Sequence, residues 1–338
     1  MRAIVQDRAG EPLDVLRLVQ LPEPPPGAGE IRIRLIAAAV HHGDLYAIRA
    51  ARIDPEAQPG PLGSEAVGFV DAIGPHVPFR EGLEIGARVA TFLTPGVWGE
   101  QVIAPYERVF VMPDQIRSAT ASQLLVNSIT ARMVLRAVDR AIEDAGTHRG
   151  VLVQTAAGTA VGRILTSMAL DRGLPIINLV RSIAGAASIR QRFPNVPVFS
   201  TTDPRWTSHV RDQAGGRPIP AIIDCVGGAL IGDLAGLLTD GGAIVTYGGL
   251  APGNLGITGL DLTARELGLR GVSLNRWRET TPADLRQEDV EASIAFGLAH
   301  PNHFEVAAEY PLERFGEAIT RVERPGRVGL VMLRMING

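Results

Sequence analysis

One cysteine, Cys225, is all the chain contains, which excludes an internal disulfide and any metal site built on several thiolates. Excess charge is nearly absent as well. Lys and Arg number 33 against 36 Asp and Glu, a net charge of −3, so no surface built to gather nucleic-acid phosphates or an anionic membrane is expected. Long apolar runs are also missing. The longest uncharged stretch, Gly241 to Leu260, holds seven glycines and Pro252, too broken for a helix that must satisfy its own backbone within a bilayer. The opening Met1-Arg2-Ala3-Ile4-Val5-Gln6-Asp7-Arg8 sets charges where a targeting segment needs apolar residues, so a cytoplasmic protein is expected. What the chain does have is length and apolar content. Its 338 residues are 46% hydrophobic, enough for two cores at roughly 150 residues per domain.

To about Asp114 the sequence reads as short strands broken by glycine and proline. Ile31-Arg32-Ile33-Arg34-Leu35 alternates apolar and charged residues as a half-buried strand does, and the segments Gly63–Val70 and Gly86–Phe92 continue the pattern of an all-β, barrel-like domain. The character then changes. Thr120-Ala121-Ser122-Gln123 has the form of a capping box, and Leu124, Leu125, Ile129, Met133 and Val134 favour one face of a helix of roughly fifteen to twenty residues. Beyond it, apolar runs at 151–154, 175–180, 221–226 and 242–247 alternate with helix-length segments. That pattern predicts an α/β, doubly wound parallel sheet covered on both faces. After Pro301 one amphipathic helix near Leu312 to Val322 and a final strand over Val328–Leu333 are too little for a domain, so they are expected to return to the first one.

The sharpest local signal runs from Val151 to Leu165: a buried strand, the small-residue turn Thr155-Ala156-Ala157-Gly158-Thr159-Ala160-Val161-Gly162, then a helix. Small residues let backbone N–H groups at a helix N-terminus approach a pyrophosphate, and a glycine further in lets the helix lie close on the sheet. The glycine positions of the dinucleotide fingerprint here read Ala156, Gly158 and either Ala160 or Gly162, and a ligand-free tight turn has the same outline. At the end of the next strand, Asn178-Leu179-Val180-Arg181 places a cation where an acidic residue would hold the ribose hydroxyls of NADH, which favours NADPH. Arg190, on the following helix, is a possible second clamp.

With these features, the chain resembles the medium-chain dehydrogenase/reductase superfamily over nearly its whole length. Asn178–Arg181, Asp224-Cys225-Val226-Gly227-Gly228, the segment Gly241–Gly249 and Leu269-Arg270-Gly271-Val272 are similar to its zinc-independent branch, the trans-2-enoyl thioester reductases and quinone oxidoreductase-like proteins. The resemblance implies a GroES-like β-barrel substrate domain at 1–118, completed by 302–338, and a Rossmann NADPH-binding domain at 119–301. It implies that Ala157, Gly158, Thr159, Ala160, Val161 and Gly162 cradle the pyrophosphate and that Arg181 meets the 2′-phosphate. Cys225, Val226 and Gly227 with Tyr247, Gly248 and Gly249 would line the nicotinamide half, Ser273 and Leu274 would offer backbone to the carboxamide, and Asn127 and Thr130 match a polar pair facing the cleft. A small-molecule substrate and a homodimer are implied, with neither nucleic acid nor membrane as partner.

Zinc-dependent relatives carry a cysteine early in the first domain and a Gly-His-Glu segment. Here the matching segments read His41-His42-Gly43-Asp44 and Gly63-Ser64-Glu65, so three good ligands are not assembled and no metal is expected. Adjacent His41 and His42 lack the one-face spacing of paired helix ligands; a pair of polar residues at a strand end is their plainer reading. Without a metal, a conjugated C=C–C=O acceptor or a quinone suits hydride transfer, because a backbone amide or hydroxyl can stabilise the oxygen charge. The tyrosine that enoyl reductases of this type use corresponds to Arg52 in an ungapped reading from Ile48 to Gly63. Tyr46 as a substitute hydroxyl and His42 as a proton relay are the alternatives. A carbonyl reductase or alcohol dehydrogenase, or an NADPH-binding redox sensor without turnover, also fits the sequence.

Overall fold

The computed structural model describes residues 1–50, 60–147, 150–324 and 326–335. They divide into two compact units, Met1–Val126 with Val290–Gly338, and Asn127–Asp289. The sequence reading sets the boundaries after 118 and 301; both instead fall inside long helices that run on past the change of composition.

The first unit contains strands β1 (Arg2–Gln6), β2 (Leu16–Gln20), β3 (Glu30–Val40), β4 (Gly60–Pro61), β5 (Glu65–Ile73), β6 (Arg88–Phe92), β7 (Gln101–Pro105) and β8 (Val109–Val111). Its helices are α1 (Pro12–Val15), α2 (His42–Ala50) and α3 (Ser118–Ala121), and α4 (Leu124–Asp144) begins in it. One sheet has the order β2-β1-β4. In the other, β3 is the organising strand: it pairs antiparallel with β5, and with β7 over Glu30–Arg34. Ile31, Ile33 and Leu35 on one face of β3 are wholly buried, while Arg32 on the other face bonds Asp71 at 2.9 Å. Burying each such aliphatic side chain contributes about 1.5–3 kcal/mol, and the period-two alternation follows from the pleat.

The second unit contains β9 (Leu152–Gln154), β10 (Ile176–Val180), β11 (Val198–Ser200), β12 (Ala221–Asp224), β13 (Ala243–Thr246) and β14 (Gly268–Gly271). Between and after them run α5 (Ala160–Asp171), α6 (Ile183–Arg192), α7 (Trp206–Ala214), α8 (Leu230–Ala235), α9 (Gly259–Ala264) and α10 (Leu274–Thr280), and α11 (Ala283–Ala299) leads out. All six strands are parallel, in the order β11-β10-β9-β12-β13-β14. This is the doubly wound Rossmann order. Chain direction across the sheet reverses between β9 and β12, which opens a crevice at their carboxyl ends. Val153, Ile177, Leu179, Ile222 and Ile244 form the sheet's share of a core closed by Trp206, Val210, Ile231 and Leu234.

The chain then returns to the first unit. Strand β15 (Val306–Pro311), helix α12 (Phe315–Glu323) and strand β16 (Leu330–Arg334) follow α11, with β16 parallel to β15 and antiparallel to β3, Val331 opposite Val40. The seven-stranded sheet thus reads β15-β16-β3-β5-β6-β8 with β7 also on β3. Among the described residues no helix is long and apolar enough to cross a membrane.

The local capping box expected at Thr120–Gln123 is not how the long helix starts. Gln123 Nε2 donates to the carbonyls of Ala119 and Phe304, and the first amides of α4, from Leu125 and Val126, donate to the Glu65 carboxylate at 2.6 and 3.1 Å. A cap supplied from a distant strand satisfies the same orphan donors as a local one, and no window of neighbouring residues reveals it. The sequence reading also names no strand at β1, β2, β4, β7, β8, β11, β14 or β15.

Candidate functional site

The carboxyl ends of β9, β10, β12, β13 and β14 bring together most of the sequence-predicted cofactor residues. The turn after β9 is tied down on both sides: Thr155 Oγ1 donates to Asp224 Oδ1 at 2.6 Å, and Asp224 accepts from the amides of Val226 and Gly227. Beneath it, Gln154 Nε2 donates to the Gly162 carbonyl and to Thr166 Oγ1 and Asn178 Oδ1, so strand, helix and neighbouring strand share one buried polar knot. Such a knot fixes the loop because each of its members would be costly to leave unpaired.

Ala156 has φ +47°, the left-handed conformation for which the fingerprint's first position normally uses glycine. At Gly158 an added Cβ would meet nothing within 4 Å; the backbone there is open to an approaching ligand. At Gly162 the added atom would stand 2.7 Å from the Ala156 carbonyl oxygen and 2.9 Å from Ala157 Cα. Gly162, rather than Ala160, therefore occupies the close-packing position. Thr159 caps α5, accepting from the Gly162 amide at 3.1 Å, which leaves the Ala160 and Val161 amides without an acceptor inside the helix. Those amides, the Gly158 backbone and the helix dipole make a fitting cradle for a pyrophosphate.

Sequence reasoning missed Arg163. Its side chain is fully buried and donates to the Gly158 carbonyl at 2.8 Å, holding the loop from below. An arginine one helical turn past a glycine carries no recognisable spacing signal.

Arg181 lies just beyond β10, exposed and with no ion pair or hydrogen bond among the described residues. Ser182 beside it caps α6, and the Thr201 amide donates to the Val180 carbonyl at 2.8 Å. Arg190 is already engaged: its guanidinium donates to the Val198 carbonyl at 2.7 Å.

At the other side of the crevice, Cys225 is buried and burial pushes its thiol up to about 12, so it packs and does not attack. Gly227 and Gly228 take left-handed φ of +73° and +62°, and the Leu250 and Ala251 amides bond the Cys225 and Val226 carbonyls, which stitches the turn after β12 to the one after β13. Burial beside Cys225 raises the Tyr247 phenol well above its ordinary range. Gly248 and Gly249 are exposed. Ser273 is the exposed N-cap of α10, with Leu274 its first residue. Asn127 is buried on α4 and Thr130 half-buried one turn on.

In the first unit the polar residues cluster where β3 turns into α2. His41 Nε2 is 3.0 Å from Glu65 Oε2, and Glu65 is wholly buried. Asp44 accepts the His41 amide and the Ser64 hydroxyl, each at 2.8 Å. His42 is exposed and 3.3 Å from the Arg327 guanidinium; crowding and that cation push its imidazole below the ordinary range. Tyr46 is 70% exposed. Arg52 lies outside the described residues. No group of three or more His, Cys, Asp or Glu is arranged to hold a metal ion among the described residues.

Comparison with known proteins accords with this architecture. Residues 27–114 match the alcohol dehydrogenase GroES-like domain. The mitochondrial enoyl-[acyl-carrier-protein] reductase of Xenopus tropicalis is 27% identical over 96% of this chain and 92% of its own. A mycobacterial protein solved in complex with NADPH is 27% identical at TM-score 0.83, covering 99% of this chain and 100% of that one. Escherichia coli quinone oxidoreductase complexed with NADPH has TM-score 0.84 at 19% identity over 99% of this chain and 100% of its own, a likeness of fold. In both units and in sequence over nearly its whole length, the chain resembles the medium-chain dehydrogenase/reductases. The likeness in sequence is to enoyl-[acyl-carrier-protein] reductases, and the likeness in fold extends to a quinone oxidoreductase.

Proposed function

We propose that the chain is an NADPH-dependent, zinc-independent oxidoreductase that reduces an activated C=C bond, of enone or enoyl type, or a quinone. The observation that carries this reading is the pairing of an open phosphate cradle at Gly158 with an unengaged Arg181 at the tip of the next strand, both at the reversal point of the parallel sheet. Arg181 would meet the 2′-phosphate and the amides after Thr159 the pyrophosphate. When bound, NADPH supplies a hydride from C4 of its nicotinamide.

The donor set speaks for an electron-poor acceptor. His41 and Ser64 stand where zinc-dependent relatives carry a cysteine and a histidine, and the one cysteine is a buried thiol elsewhere, so the residues present suit protonation and hydrogen bonding better than metal polarisation. Conjugation lets the accepted charge spread to an oxygen that a hydrogen-bond donor can stabilise. A small-molecule substrate in the cytoplasm and a homodimer complete the reading. Among the described residues strand β14 ends the sheet order with an unpaired edge, which a second copy would cover.

The test is NADPH consumption with 2-cyclohexenone, trans-2-enoyl thioesters, 1,4-benzoquinone and simple aldehydes, with NADH as control, beside calorimetry of both coenzymes. Turnover of the conjugated acceptors or the quinone, with a preference for NADPH that Arg181→Ala abolishes, is the expected result. Reversible activity on alcohols would favour a carbonyl reductase instead. Tight NADPH binding without turnover would favour a redox sensor.

A further inference from the structure

We propose that the adjacent pair His41-His42 forms a two-sided proton latch in the first unit: His41 holds Glu65, and through it the start of α4, while His42 holds Arg327 in the segment that leads into β16. The device lies within one unit and does not depend on the reaction proposed above. Two consecutive residues serve different partners because β3 ends at Val40 and α2 begins at His42, so the chain turns between them. One ring is buried and the other exposed.

His41 faces a carboxylate. Its Nε2 lies 3.0 Å from Glu65 Oε2, and Glu65 is wholly buried. The other Glu65 oxygen accepts the Leu125 and Val126 amides at 2.6 and 3.1 Å, which fixes the carboxylate in place. Asp44 accepts the His41 amide and the Ser64 hydroxyl, each at 2.8 Å, and so holds the turn against the start of β5. A protonated ring gives Glu65 the cation that a buried carboxylate otherwise lacks. Loss of that proton leaves the charge with neutral donors alone.

His42 faces a cation. Arg327 Nη2 is 3.3 Å from its Nε2, and Arg327 Nη1 donates to the Gly329 carbonyl. The guanidinium thus joins the start of α2 to the residue before Leu330, where β16 begins. The ring accepts from Arg327 only while it is neutral. Once protonated it becomes a further cation beside Arg327 and Arg321. Arg327 has no carboxylate partner among the described residues, and the acid that faces His42, Glu323, is already paired with Arg49.

The groups facing His41 are Glu65 on β5, Asp44 on α2 and Arg327; those facing His42 are Arg327, Glu323 on α12, His41 and Arg49 on α2. Burial opposes a charge on His41, but Glu65 and Asp44 outweigh burial and Arg327, so its imidazole lies above the ordinary value. Crowding and Arg327 hold His42 below that value. Linkage gives the two rings opposite signs. The His41 contribution is whole below about 6.5, the unfolded imidazole value, and is lost as pH rises through the higher folded value. The His42 contribution is whole above about 6.5 and is lost as pH falls through the lower folded value. Their joint contribution to the first unit therefore peaks near about pH 6.5.

The experiment uses the full chain with carbon-13-labelled histidine and methyl-labelled isoleucine. Imidazole signals of His41 and His42, identified by their absence in His41→Gln and His42→Gln, are titrated by NMR. Urea unfolding is followed over the same pH range on the methyl groups of Ile31 and Ile33, which lie in the core of the first unit. Glutamine keeps a donor for Glu65 and an acceptor for Arg327 but has no proton to lose in this range. His41 is expected to titrate above about 6.5 and His42 below it. Compared with the wild type, His41→Gln should flatten the alkaline slope of the folding constant by up to about tenfold per pH unit, the slope of one proton, and His42→Gln the acid slope by the same factor. A His41 signal that titrates below about 6.5, or a His42 signal that titrates above it, overturns the latch. So does a variant whose two slopes match those of the wild type. Should a variant not fold, its signal is assigned through the wild-type backbone and the titration decides.

Discussion

Two glycines in the loop after β9 make opposite predictions, and alanine at each separates folding from coenzyme binding. At Gly162 the new Cβ would meet the Ala156 carbonyl oxygen at 2.7 Å, Ala157 Cα at 2.9 Å and the capping Thr159 Oγ1 at 3.0 Å. The first two are backbone atoms that cannot rotate away. Overpacking of this kind costs about 1–3 kcal/mol, and disturbing the cap adds about 1 kcal/mol. The better helix propensity of alanine offsets about 1 kcal/mol, so Gly162→Ala should destabilise by about 1–3 kcal/mol. At Gly158 the Cβ enters open space at ordinary backbone angles. Stability there should change by less than about 0.5 kcal/mol, whereas NADPH should bind at least about tenfold more weakly, equivalent to about 1.4 kcal/mol. Urea denaturation without ligand and calorimetry with NADPH give both numbers. A Gly158→Ala protein that binds NADPH as tightly as the wild type refutes the cradle, and a Gly162→Ala protein of wild-type stability refutes the close-packing argument.

Ala156 holds a left-handed φ of +47°, so Ala156→Gly should relieve strain and stabilise by about 1 kcal/mol, read as a rise in the urea midpoint at constant slope. Asp289 is wholly buried; burial alone would raise its carboxyl, but bonds from Arg136, Arg132 and Trp277 hold it below the ordinary range. Its contribution is therefore complete above the unfolded value and is lost as pH falls through the lower folded value, so the acid limb of thermal stability should flatten in Asp289→Asn. That substitution should cost about 3 kcal/mol at neutral pH; an unchanged melt would mean the network adds nothing. Cys225, with its thiol pushed up to about 12, should resist iodoacetamide at pH 8 in the native protein and react once unfolded, a contrast that mass spectrometry resolves.

What the sequence made legible follows from how far each signal reaches. Alternation in Ile31–Leu35 and the apolar runs at β9, β10, β12 and β13 depend on neighbouring residues, and they locate the strands that position the loop. The edge strand β14 is harder to read because Gly-Leu-Arg-Gly is largely exposed and has no apolar run. Long-range partners were out of reach. The cap of α4 comes from Glu65 and the guanidinium under the phosphate loop comes from Arg163, neither of which has a local pattern. His41 looked like a polar strand end for the same reason: only the fold brings Glu65 to its ring. The cofactor side carries a motif; the His41–Glu65 pair does not, because it joins residues 24 positions apart.

The partnership of β16 with β3 bears on how the molecule is made. Ala37 to Val40 wait for Val331 to Arg334, so on the ribosome the earliest domain to start is the last to finish, while the contiguous Rossmann unit can close first. Until then one flank of β3 offers bare amides and carbonyls to any passing strand. Loss of the closing strand should therefore harm solubility before it harms coenzyme binding.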